Sequence, residues 1–136
     1  MAMQDACLRE ISELHDFFQA WMRGELPRTD AAFARFPASL DARFTLISPN
    51  GQAAGVEETV AWIRSAHGSR PNLRLWTTDH RVRFEAAGCV LTTYQEWQTR
   101  DGVTTTRLSS VLFRADPAAP NGVAWVHVHE TWLAQD

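Results

Sequence analysis

Lysine is absent from this chain, cysteine occurs only twice and tyrosine once. No run of eighteen apolar residues exists, so no helix is expected to span a membrane, and the N-terminal MAMQDACLRE is charged from Asp5 onward with no apolar stretch to serve as a signal-peptide core. Cys7 and Cys89 lie far apart and in no CxxC spacing. That argues against a disulfide framework or a thiolate zinc site, and a reduced, cytoplasmic protein with two buried thiols is the expectation. The net charge of −3 argues against a nucleic-acid partner, which would want a basic face. All 13 basic residues are Arg, a pattern that coding bias explains and that would also suit salt bridges at an interface. There is no Gly-rich phosphate loop and no G-x-S-x-G nucleophile elbow.

What is present is a full-sized core. At 136 residues the chain fits one domain, 1–136, large enough to fold without metal or disulfide. Six Trp in so short a chain predict that some line a cavity or an interface, because a buried indole needs a partner for its N–H. Leu8, Ile11, Leu14, Phe18, Trp21 and Met22 recur at helical spacing, which predicts a long amphipathic helix from Asp5 to about Gly24. A short helix over Thr29 to Phe36, a strand over Ala42 to Ser48, the turn Pro49-Asn50-Gly51 and a brief second strand follow. Val56, Val60, Ile63 and His67 then share one face of a third helix closed by Gly68. His15 and His67 border the apolar stripes of their helices, where packing or capping outranks chemistry.

The second half reads as four long antiparallel strands, the second and third being joined by Asp101-Gly102, a strong hairpin signal. Pairing Arg100 with Val103 sets every partner across that hairpin to a sum of 203, so Glu96 faces Arg107 and Tyr94 faces Ser109 on one side of the sheet. Trp97, Gln95, Thr93 and Leu91 face Thr106, Leu108, Ser110 and Leu112 on the other. The last strand, VAWVHVHETWL, alternates for eleven residues, with the single carboxylate Glu130 on an otherwise apolar side. Neither sheet face is plainly solvated. One is expected beneath the helices and the other against a second subunit, making a homodimer.

An N-terminal helix, a strand ending in Pro-Asn-Gly, a helix ending in His67-Gly68 and four strands finishing in Trp125, Val128 and His129 together resemble the nuclear-transport-factor-2-like superfamily, particularly its SnoaL-like members of unknown function. The chain is also similar to the association domain of calcium/calmodulin-dependent protein kinases. The resemblance implies an α+β fold: a cone-shaped, strongly curved mixed/antiparallel β-sheet with three helices of the N-terminal half on its concave face and a dimer on its convex face. Matching the last strands to the kinase domain implies a pocket holding Ser110, Val128, Glu130 and Trp132, with Trp125, His127 and His129 on the convex side. Hairpin arithmetic adds Thr93, Gln95, Trp97 and Leu108 to the pocket, Phe18 and Trp21 supply its aromatic wall, and Tyr94 and Arg107 go to the dimer interface. The kinase domains line this pocket with arginines, whereas the matched positions here are Thr93, Ser110 and Trp132, so a carboxylate ligand is not implied.

Glu130 is the candidate for chemistry, since a lone carboxylate among Trp97, Trp132, Val128 and Leu112 would be desolvated and poised as a general acid or base. The bland alternative puts it in solvent or against an Arg. His127-x-His129 has a spacing that some metal sites use, but interface packing outranks it and no metal is expected. Asp79 and His80, adjacent on a strand, would point to opposite faces rather than act as a dyad. Two function classes stay open. One is a small-molecule-binding protein with an apolar, Trp-lined pocket, up to a cofactor-independent isomerase or lyase using Glu130. The other is a non-catalytic dimerisation or association module whose cone is filled.

Overall fold

The helical spacing of the first apolar residues becomes α1, Met3–Arg23, in the computed structural model, which describes residues 2–134. Ala2 rather than Asp5 occupies its N-cap, without a side-chain hydrogen bond. Gly24 ends it in the left-handed region (φ 78°), a conformation that an L side chain adopts only with strain. A Cβ there would also stand 3.2 Å from Gly68 Cα, and Gly68 N–H donates to the Trp21 carbonyl, so the end of α1 is seated on the loop that follows the third helix.

Thr29 caps a short α2, Asp30–Phe33, by accepting from Ala32 N–H. A 3-10 turn at Pro37–Ser39 leads into β1, Leu40–Ile47. The two-residue β2, Ala53–Ala54, and α3, Val56–Ser65, come next. The remaining strands are β3 (Arg74–Ala86), β4 (Cys89–Arg100), β5 (Val103–Ala115) and β6 (Val123–Trp132). Asp101 and Gly102, both at positive φ, make the tight β4–β5 turn, and every pair between these strands sums to 203.

The six strands form one mixed sheet in the order β2-β1-β6-β5-β4-β3, with β1 and β6 parallel and the other neighbours antiparallel. The α+β class therefore holds, but the expected cone does not: the sheet is neither closed nor strongly curved. Closure would require its margins to meet. One margin is a strand of two residues, far too short to pair along the thirteen of β3. Helices α1 and α3 cover one face, burying Ile11, Leu14, Trp21 and Ile63 against Val90, Val111, Phe113 and Val128.

Glu10 ties this layer together. Its carboxylate is fully buried, yet it accepts from Arg35 (2.8 and 3.2 Å), from Asn121 Nδ2 (2.9 Å) and from Trp125 Nε1 (2.8 Å). One side chain thus fastens α1 to the segment after α2, to the β5–β6 loop and to β6. Removing it would leave the buried Trp125 N–H without its acceptor and part-exposed Arg35 with the longer Glu13 contact (3.5 Å), so Glu10→Ala is expected to lower unfolding free energy by about 3 kcal/mol in chemical denaturation. A loss below about 1 kcal/mol would contradict the role assigned to it.

Candidate functional site

Between the helices and the sheet lies a cavity of about 110 Å3. Its walls are apolar, from Leu14 and Phe18 on α1, Ile63 on α3, and Phe44, Leu46, Trp125 and Val128 on β1 and β6. One end is polar, where His15, Tyr94, Glu96, Arg107 and Glu130 meet.

Strand parity puts these groups together. Glu96 faces Arg107 across the β4–β5 ladder, and Glu130 faces Ser109 across β5–β6, so Tyr94, Glu96, Arg107 and Glu130 share the helix-covered side. Helix α1 delivers His15 from above. Its Nδ1 lies 2.7 Å from the Ile11 carbonyl and its Nε2 lies 2.8 Å from Glu96 Oε1. Both ring nitrogens face acceptors, an arrangement that only the imidazolium satisfies with two donated protons. Burial opposes that charge, but the hydrogen bond and field of Glu96 outweigh it and raise the His15 pKa above its usual 6.5.

The two carboxylates are driven apart. Burial alone would raise Glu96, but the bond and charge of His15, with Arg107 and the Gln98 amide (2.7 Å), hold it down at about 2. Among the described residues Glu130 has only Arg107 Nη1 at 3.4 Å, so burial, joined by the negative charge of Glu96, pushes it up to about 7. Arg107 also spans 3.5 Å to Glu96 and lies 4.6 Å over the Trp132 ring. A carboxyl that exchanges its proton near neutrality beside a fixed carboxylate is equipped for acid/base work.

Of the residues expected in the pocket, Phe18, Val128 and Glu130 line the cavity. Thr93, Gln95, Trp97, Leu108 and Ser110 do not, because Ser110 pairs with His129 and the whole odd set of β4 looks to the uncovered face. Trp21 is core, donating to the Ile63 carbonyl at 2.8 Å, and Trp132 lies outside the cavity, 45% exposed. Of the residues expected at a dimer face, His127 and His129 are on the uncovered side, whereas Tyr94, Arg107 and Trp125 line the cavity. Trp125 turns inward because the β5–β6 register shifts after Phe113, so it and His127 are no longer on the same side.

His15, Glu96 and Arg107 were the groups that sequence reasoning did not gather here. Their signal was the cross-strand pair itself, which reads as surface charge unless the helix above is known to carry a histidine. At Asp79 (φ 54°) β3 breaks register, sending His80 to stack on Tyr94 and bond Thr77, while Asp79 pairs with Arg81, so no dyad forms. His67 bonds the Leu26 carbonyl at 2.7 Å, a packing role. Among the described residues no group of three or more His, Cys, Asp or Glu could hold a metal ion.

Residues 8–134 match the family model described as sucrose-6-phosphate phosphohydrolase C-terminal. Among curated proteins, sucrose-phosphatase 1 of Nicotiana tabacum is 24% identical over 127 residues, covering 91% of this chain and 30% of that protein. The chain thus spans about three tenths of the length of the relatives it matches. Among solved structures, an NTF-2 like protein of unknown function from Pseudomonas aeruginosa superposes with TM-score 0.85 at 24% identity, over 95% of this chain and 99% of that one. The CaMKII hub of S. rosetta gives 0.70 at 16%, over 98% of each. Further hub and association domains and a putative dehydratase share the fold. The fold is therefore nuclear-transport-factor-2-like, as the sequence resemblance implied.

The opposed titrations give stability a signed pH dependence. Glu130 holds its proton more tightly folded (about 7) than at its ordinary 4.5, so the folded state carries the extra proton between those values and loses stability as pH rises through 7. His15, raised above 6.5, adds stability at low pH that is likewise lost on going up. Glu96 works the other way, its stabilisation being present above 4.5 and lost as pH falls toward 2. Stability against thermal unfolding should therefore decline from pH 5.5 to pH 8, and Glu130→Gln should remove on the order of 2 kcal/mol of that decline. A flat or rising profile in the wild type would refute the assignment.

Proposed function

The chain belongs to the sucrose-6-phosphate phosphohydrolase C-terminal family, and within it we propose that this chain is a non-catalytic association module whose partner is a second copy of itself. The observation that carries this is the uncovered face of β3 to β6. Trp76 and Trp97 stack there at 5.9 Å, Leu91 and Leu112 are half-buried, and Leu108 and Phe84 are 36% and 65% exposed. Four strands of about ten residues, at ~3.3 Å per residue and ~4.8 Å apart, make a patch of about 600 Å2. That is close to the roughly 800 Å2 per partner of a standard interface. The hub and association domains that share the fold support the same reading. So does the cavity: its 110 Å3 falls below the ~300–1,000 Å3 usual for ligand pockets. The phosphatase activity in the relatives' names is assigned to those longer proteins.

A second reading is favoured by one observation, the ionisation of Glu130 near neutrality inside an apolar cavity. In it the cavity accepts a small molecule and Glu130 moves a proton to or from it without a cofactor, as an isomerase or lyase would.

Light scattering on the eluting protein tests the association role. A mass twice 15.3 kDa is expected, and Leu108→Arg or Trp97→Arg should give a folded monomer, while Trp62→Ala on α3 should leave the dimer intact. A wild-type monomer at about 100 μM, weaker than the affinity such a patch supports, would refute it.

A further inference from the structure

The cavity's polar end is incompletely answered from within. Glu130 and Arg107 stand 3.4 Å apart, against the ~2.7–2.9 Å of a well-formed charge-assisted bond. Arg107 Nε, held only at ion-pair range 3.5 Å from Glu96 Oε2, and Thr59 Oγ1 are buried without a hydrogen-bond partner among the described residues, and both residues line the cavity. Orphaned polar atoms are costly in an interior unless something visits them.

What could visit is decided by charge. An organic anion placed there meets Glu96 and Glu130, and an organic cation meets Arg107 and His15. An uncharged group that both donates and accepts meets no like charge. It can donate to the Glu130 carboxyl and accept from Arg107 Nε, filling both vacant valences at once. Apolar walls require the rest of the ligand to be hydrocarbon. A volume of 110 Å3 offers roughly seven to eleven water-sized positions at ~10–15 Å3 each, and so an organic body of about eight to ten heavy atoms.

We propose that the cavity binds a small uncharged molecule with an apolar body and one hydroxyl-type group, held between the Glu130 carboxyl and Arg107 Nε. The proposal rests on the second reading above, that the cavity is a binding site. Arg70, half-buried on the cavity wall with only Met22 Sδ at 3.9 Å, makes an anion the competitor to exclude.

Four probes share one phenyl body: 2-phenylethanol, phenylacetate, 2-phenylethylammonium and ethylbenzene. Titration calorimetry on the full chain should find the alcohol bound at least about tenfold more tightly than any of the other three, the worth of one hydrogen bond to a charged group. Glu130→Gln should keep that preference and Glu130→Leu should lose it. Leu46→Trp, which fills the cavity, should abolish binding of all four. If phenylacetate or the ammonium binds best, the uncharged class is wrong while the cavity remains a site. If ethylbenzene equals the alcohol, polar recognition is wrong in the same way. If none binds, or Leu46→Trp changes nothing, the cavity reading itself falls and takes the proposal with it.

Discussion

A carboxylate under a helix must be answered, because an uncompensated buried charge costs several kcal/mol. Glu10 on α1 and Glu96 and Glu130 on the strands beneath it sit between helix and sheet, and they are answered to different degrees. Glu10 is met by a guanidinium, an indole and an amide, all at hydrogen-bond distance. Glu96 has an imidazolium and an amide, with Arg107 slightly beyond. Glu130 is left with one long contact. The first glutamate holds the fold, the second anchors a helix to the sheet, and the third is free to exchange its proton.

The same arrangement divides the sheet's two faces. The covered one is occupied by a charge cluster that is nearly closed on itself and by apolar walls around a small hollow. The uncovered one presents stacked indoles and leucines, with Trp97 Nε1 donating to Thr78 Oγ1 and Arg74 lying over Trp76. An association role needs only the second face, and a ligand role needs only the first. The two readings are compatible in one molecule. Strands β4, β5 and β6 carry both faces: Glu96 and Trp97 are neighbours in sequence and look in opposite directions.

Much of the architecture was legible in the residues. The Asp101-Gly102 turn set the β4–β5 register to the last pair, and the apolar spacing of α1 and the Gly24 stop gave its extent within two residues. Parity was legible too, but its direction was not. Each face of the β4–β5 hairpin mixes apolar and polar side chains, so nothing local says which lies beneath the helices. The choice came with the kinase-domain resemblance and carried Thr93, Gln95, Trp97 and Ser110 to the wrong side. Trp125 was lost to the register shift beside it, which no spacing rule foresees. The cone came with the resemblance as well, because strand pairing constrains neighbours and not whether the margins meet. Val128 and Glu130 came with the same kinase-domain match, and these two positions do line the cavity. The Glu96–Arg107 pair was found by register and then taken for a surface feature, since the imidazolium that makes it an interior cluster comes from 81 residues away.

Burial with unequal partners splits Glu96 and Glu130 into a fixed carboxylate and a neutral-range acid. A pH titration of the glutamate side-chain carboxyl carbons by NMR, assigned through Glu130→Gln and Glu96→Gln, measures this directly. One glutamate should titrate near 7 and another should stay ionised to about 2. If both titrate together near 4.5, the ordinary value, the cluster is not closed as described and the account fails.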